Sequence, residues 1–373
     1  MIKILFLIDS LTGGGAEKVL QTLVNNLDQK TFQITVQTIT YTNPEQHLTS
    51  GIRYKAICNA RSKWGKKIWC WWLRLCAQLK WVYPLYIHGN YDIEVAYLEC
   101  GPTKFLWGSS SKDVLKLAWL HCDLQQRGIL VTNRMRNIYQ SYDKVICVSQ
   151  SVHNCFVHLF GNDPPSRVLN NVNDEILIRE KAKTFDPPMS ECFTFVSVGR
   201  LSKEKGLDRL LLACADLRNA GKSFHLLILG DGPEQNALHA LRNQLQLESR
   251  VTFLGYQENP YPYMQAADCI VCTSLYEGMS TVITESLILG KTILTTHCAG
   301  MVELLGNSKY GLIVENSTSG IFQGMRTLLD DPALCQQYEQ AAFQRGQSFS
   351  KTATVQETEC FLCNELMRKR TNL

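Results

Sequence analysis

Short, nearly continuous apolar runs alternate along this chain with stretches whose apolar residues recur every three or four positions. Ile2–Ile8 is the first run, and its continuity predicts a strand buried on both faces, as in a parallel sheet. It ends at Asp9 and a glycine cluster, which fits a strand-to-turn transition and not the cleavage site of a secretory leader. Val19, Leu20, Leu23, Val24 and Leu27 follow close to the helical period, so a helix is expected after the turn Thr12-Gly13-Gly14-Gly15. Further strands are predicted at Ile34–Ile39, Ile93–Leu98, Leu115–Leu120 and Lys144–Val148, each pair separated by room for a helix or crossover.

Between Asn170 and Cys192 the pattern breaks into polar residues and Pro187-Pro188, which marks a domain boundary. A second series then starts at Phe193–Val198. It continues with a helix over Leu207–Leu217, a strand at His225–Leu229, a helix over Glu234–Gln244, and strands at Val251–Leu254, Cys269–Thr273 and Thr292–Thr296. The chain closes with a helical segment near 351–369 that has no obvious strand partner. The fold class is therefore α/β, with two doubly wound parallel sheets over 1–178 and 179–350 and a further helix over 351–373. A length of 373 residues suits two such domains better than one core. No apolar stretch is long enough to span a bilayer.

Composition adds little to this picture. The chain is 45% apolar and 19% charged, which is globular, and a net charge of +4 selects no partner by itself. Its fifteen cysteines are odd in number and scattered, which points to a reducing, cytoplasmic setting. Cys360 and Cys363 have C-x-x-C spacing but no neighbouring histidines, and read as one face of a helix and not as a metal site.

The chemistry lies at turns that follow predicted strands. Gly13-Gly14-Gly15 would let backbone N–H groups at a helix start approach an anion, although Lys18 stands where a dinucleotide fingerprint has its third glycine. Arg200 and Lys205, in G-R-L-S-K-E-K-G, are two long cations at a sheet edge, suited to a diphosphate. Gly230-Asp231-Gly232-Pro233 is another tight turn at the same edge. Glu277-Gly278-Met279-Ser280 leads into a helix carrying Glu285, and carboxylates at that spacing suit the vicinal hydroxyls of a ribose or hexose.

In this order, G-G-G-A-E, G-R-x-x-x-E-K-G, G-D-G-P and E-G-x-x-x-x-x-x-E resemble glycosyltransferase family 4 of the GT-B fold, the group 1 transferases of bacterial surface-polysaccharide type. Glu285-Ser-Leu-Ile-Leu-Gly-Lys and Ala299-Gly-Met-Val-Glu-Leu-Leu are similar to that family too. The resemblance implies two facing Rossmann-like domains and a C-terminal helix crossing back to the first. It implies metal-independent, retaining transfer of a hexose or N-acetylhexosamine from a nucleotide diphosphate sugar, UDP by preference, with no cofactor. Arg200 and Lys205 would hold the pyrophosphate, Glu285 the ribose, and Glu277 the transferred sugar. Gly278, Met279 and Ser280 would offer backbone N–H groups, and Gly14 and Gly15 would close over the donor. His121, in Ala118-Trp-Leu-His-Cys-Asp, matches the family's active-site histidine, with a positioning role. Glu99 matches a segment near the acceptor. Asn170-Asn-Val-Asn173 departs from the family by lacking the usual proline near the hinge. A nucleotide-sugar epimerase of the same architecture and a non-catalytic sugar-nucleotide-binding protein are the alternatives.

Residues 61–84 hold five of the seven tryptophans and six Lys or Arg, with no acid. Aromatics and cations together suit an anionic membrane surface better than a nucleic acid. The expected partners are thus the sugar nucleotide, a lipid-linked saccharide acceptor, and the inner face of a cell membrane. No nucleic acid partner is expected.

Overall fold

The computed structural model describes residues 1–12, 14–58, 69, 72, 73, 75–78, 80–126 and 128–371. Gly13 and half of the segment 61–84 thus lie outside the described residues. The chain divides into two compact units, Met1–Val172 with Lys351–Leu373, and Asn173–Ser350. The division falls before the expected residue 178 because the helix Glu175–Lys181, capped by Asp174, packs Ile178 into the core of the second unit.

The first unit holds β1 (Ile2–Ile8), β2 (Phe32–Thr40), β3 (Arg53–Cys58), β4 (Ile93–Ala96), β5 (Leu115–Leu120), β6 (Lys144–Cys147) and β7 (Ser166–Val168). They form one sheet in the order β3-β2-β1-β4-β5-β6-β7. Every pairing is parallel. Ile4 to Ile8 are fully buried, which is why that run is continuous and not alternating.

The second unit holds β8 (Thr194–Val198), β9 (His225–Leu229), β10 (Val251–Gly255), β11 (Cys269–Cys272), β12 (Thr292–Thr296) and β13 (Leu312–Val314), in the order β10-β9-β8-β11-β12-β13. These pairings are parallel as well. Alternation along the strands feeds two layers: Phe195, Leu226 and Ile228 pack into one cluster, Val196, Leu227 and Leu229 into another. Cys269 and Cys272 add a second C-x-x-C pair to that at Cys360 and Cys363. Three residues apart on an extended strand, they point to opposite faces and cannot bridge.

Both sheets reverse their winding at one place. β1 pairs with β2 on one side and β4 on the other, and β8 pairs with β9 and β11. Loops leaving the carboxyl ends of strands at such a switch point diverge to opposite faces and open a crevice.

The last helix, Lys351–Thr371, belongs to the first unit, and Val355, Phe361, Leu362 and Leu366 on it are buried. Lys144 meets Glu365 at 2.7 Å, Lys369 meets Asp143 at 2.6 Å, and Arg370 meets Asp92 at 2.5 Å, so β4 and β6 are tied at their entries. Cys360 on this helix is exposed and Cys363 half-buried, both as free thiols. Among the described residues no helix is long and apolar enough to cross a membrane.

Candidate functional site

The loops after β8 and β11, at the switch point of the second unit, carry its candidate residues. Behind β8, the chain runs backbone against backbone with the Gly230–Pro233 turn. A Cβ on Gly230, whose φ is +134°, would stand 2.0 Å from the Gly199 carbonyl oxygen, and one on Gly232 would stand 2.4 Å from that of Leu201. Space requires glycine at both positions, and φ requires it at Gly230 as well. The Leu201 N–H donates to the Asp231 carbonyl at 2.8 Å, and the Glu234 N–H to the Leu201 carbonyl at 2.9 Å.

This brace holds the short turn Lys203–Lys205, closed by Gly206 in the left-handed region. The Thr273 hydroxyl, at the end of β11, donates to the Lys205 carbonyl at 2.9 Å and joins the two loops. The Lys205 ammonium donates to Glu277 Oε1, and the Ser274 hydroxyl donates to the same oxygen at 2.9 Å. Burial works to lower the Lys205 ammonium, but the charge of Glu277, with Cys272, Glu204 and the hydrogen bond, outweighs it and holds the ammonium above its ordinary range. Arg200 is exposed at the rim. Ser197, Gly199, Arg200, Lys205, Cys272 and Ser274 line the recess between these loops. Burial, then the Glu277 charge, raises the Cys272 thiol, which is therefore unionised at neutral pH.

Gly278, Met279 and Ser280 continue this loop. A Cβ on Gly300 would lie 2.3 Å from the Gly278 carbonyl oxygen, so the loops after β11 and β12 also pass in close contact. The Ser280 hydroxyl accepts from the Ile283 N–H at 3.4 Å and caps the helix Thr281–Ile288. Glu285 on that helix is buried, and its Oε1 accepts the Tyr261 hydroxyl at 3.1 Å. The two carboxylates thus occupy different settings, one on a cation beside a recess and one on a phenol inside the unit.

In the first unit the candidates follow β1, β4 and β5. Gly14 precedes the helix Gly15–Asn26, and the Glu17 carboxylate lies against it, where a Cβ would stand 1.9 Å from Glu17 Oε2. Glu99 is buried, and its Oε2 accepts the His121 N–H at 3.2 Å. The His121 ring packs on that of Tyr97 with centroids 4.8 Å apart, and its buried Nε2 has no hydrogen-bond partner among the described residues. Burial depresses the imidazole to about 4 against the opposing pull of Glu99, so the ring is neutral at physiological pH. Among the described residues no group of three or more His, Cys, Asp or Glu is arranged to hold a metal ion.

Lys205 and Glu277 therefore touch, Arg200 shares their recess, and Glu99 touches His121. Ser274, Thr273 and Tyr261 bind these residues and were not singled out in the sequence: the Thr273 and Tyr261 contacts join separate segments, and Ser274, three residues before Glu277, sits in no motif.

Residues 179–345 match the family model of glycosyl transferases group 1. A Campylobacter jejuni protein, N-acetylgalactosamine-N,N'-diacetylbacillosaminyl-diphospho-undecaprenol 4-alpha-N-acetylgalactosaminyltransferase, is 33% identical over 228 residues, 60% of this chain and 61% of that protein. A lipopolysaccharide core biosynthesis glycosyltransferase of Rhizobium meliloti, LpsD, is 32% identical over 146 residues, 39% of this chain and 41% of its own. The chain thus spans less than two thirds of the length of these curated relatives. Among solved structures, Anabaena HepE in complex with UDP and glucose superposes with a TM-score of 0.77 at 20% identity, over 97% of this chain and 100% of its own. That likeness assigns the fold, two parallel-sheet α/β domains of GT-B type.

Proposed function

We propose that this chain is a retaining glycosyltransferase that moves a hexose or N-acetylhexosamine from a nucleotide diphosphate sugar to a lipid-linked saccharide. The observation that carries the reading is the Lys205–Glu277 pair beside the Arg200 recess, at the switch point where such ligands bind. Arg200 and Lys205 would neutralise the pyrophosphate as it leaves, and Glu277 would hold both the Lys205 ammonium and hydroxyls of the sugar. Glu285 would take the ribose, while Gly278, Met279, Ser280, Gly14 and Gly15 would offer backbone N–H groups. The neutral His121 ring would hydrogen-bond the transferred sugar and not carry a proton. Catalysis would then be positioning and charge stabilisation, with the acceptor proton passing to a leaving oxygen on the same face. No metal or cofactor is invoked. The UDP complex of HepE supports UDP as the nucleotide, and the undecaprenol-linked acceptor in the name of the Campylobacter relative supports a lipid-linked acceptor.

The membrane reading belongs to the same proposal. Within the described part of 61–84, Leu73, Cys76 and Ala77 are buried while Trp72, Leu75 and Trp81 are exposed. Exposed tryptophans flanked in sequence by cations support peripheral binding at the inner face of a cell membrane. A screen of UDP- and GDP-sugars against the purified chain tests the activity. Nucleotide release that requires a saccharide-lipid acceptor supports transfer; interconversion of the sugar without an acceptor would make the chain an epimerase.

A further inference from the structure

We infer that Arg209 and Asn316 are positioning residues that set Glu277 against Lys205. The inference rests on the proposed donor site. Arg209 lies on the helix Leu207–Asn219 and Asn316 just beyond β13, so neither belongs to the loops that line the recess. Their side chains meet beneath those loops. One arm of the Arg209 guanidinium, Nη1, donates to Asn316 Oδ1 at 2.7 Å and to the Asn316 carbonyl at 3.0 Å. The other arm, Nη2, donates to the Thr273 carbonyl at 2.7 Å. The Asn316 amide nitrogen then lies 3.1 Å from the Leu275 carbonyl, 3.2 Å from the His297 carbonyl and 3.4 Å from the Ser274 carbonyl.

Two side chains thus gather the carbonyl ends of β11 and β12 and the exit of β13. Carbonyls at strand ends need donors, and the Ser274 carbonyl also accepts from the Thr296 hydroxyl at 2.7 Å and the Cys298 thiol at 3.2 Å. Arginine supplies donors on a rigid fork and asparagine supplies two more. The brace also reaches the cation loop: a Cβ on Gly206 would stand 2.4 Å from the Thr273 carbonyl oxygen and 2.7 Å from Arg209 Nη2. Thr273 itself donates to the Lys205 and Gly206 carbonyls at 2.9 and 3.2 Å. Ser274, whose backbone Asn316 holds, donates its hydroxyl to Glu277. The position of the carboxylate therefore depends on a residue that does not touch it.

The test is Asn316→Leu, close in shape and without charge or donors, with Asn316→His as the conservative variant that restores a donor. The direct readout is the titration of the Lys205 ¹³Cε resonance, assigned by its loss in Lys205→Arg. Glu277, Cys272 and Glu204 face that ammonium. With Glu277 released, the Lys205 midpoint in Asn316→Leu falls by about half a unit or more, and Asn316→His brings it back toward the native value. In the transfer assay kcat drops about tenfold with donor KM changed less than about threefold. A lowered melting temperature with the native Lys205 titration would overturn the inference, because Asn316 would then only support the fold. If the native chain transfers no sugar, the proposed activity fails, and the resonance still decides the role of Asn316.

Discussion

Acidification should destabilise the first unit through one imidazole. His121 is neutral in the folded chain because burial drops it from the ordinary 6.5 to about 4. Once unfolded, the ring regains its ordinary value, so between these two pH values the unfolded chain binds a proton that the folded chain refuses. Stability from this group is therefore complete above pH 6.5 and is lost as the pH falls toward 4. At about 1.4 kcal/mol per unit, the whole displacement is worth about 3 kcal/mol, of which about 2 kcal/mol is gone by pH 5. The assay is selective because all seven tryptophans lie between Trp64 and Trp119, so intrinsic fluorescence reports the first unit alone. Urea melts at pH 7.5 and pH 5 are compared for the native chain and His121→Phe. The phenylalanine keeps the backbone N–H that Glu99 accepts and the ring contact with Tyr97, and removes only the titration. The variant should lose about 2 kcal/mol less on acidification than the native chain. Equal losses would refute the reasoning, because the ring would then titrate alike in the folded and unfolded chain.

Lys205→Ala and Glu277→Gln should each lower kcat/KM for transfer by about a hundredfold or more, since each removes charge stabilisation that the recess supplies; full turnover in either removes the proposed role. Gly230→Ala forces a Cβ onto the Gly199 carbonyl at a φ of +134°, and calorimetry should find the second unit destabilised by about 2 kcal/mol or more. Phe361→Ala removes a buried ring between the last helix and the first sheet, and tryptophan fluorescence should show a cost of about 3 kcal/mol confined to the first unit. Replacing Arg61, Lys63, Lys66 and Lys67 by glutamine should abolish sedimentation with anionic vesicles, and undiminished binding would sink the membrane reading.

The central strands were legible because a strand buried on both faces must be apolar throughout, as Leu5 and Val36 in the first unit and Phe195 and Ile228 in the second are. The edges were not. β3 reads Arg-Tyr-Lys-Ala-Ile-Cys with its first four residues partly exposed, and β7 and β13 are three residues each, too short to show a period. The glycine turns of the site were legible because they directly follow buried strands. The brace was not, because Arg209 and Asn316 stand 107 residues apart and neither sits in a motif. The contact of Glu99 Oε2 with the His121 backbone N–H was not legible either, because it joins segments after β4 and β5.

The helix Lys351–Thr371 makes the first unit discontinuous in sequence, with all of the second unit inserted between its parts. This orders events on the ribosome. β1 to β7 emerge early, but Asp92, Asp143 and Lys144 gain their ion-pair partners on the last helix only after the second unit has been synthesised. The first sheet must then wait, with the surface that Phe361 and Leu362 will cover still open, while the second unit folds from contiguous chain. Chaperone dependence and aggregation of nascent chains should accordingly concentrate in the first unit, which begins first and finishes last.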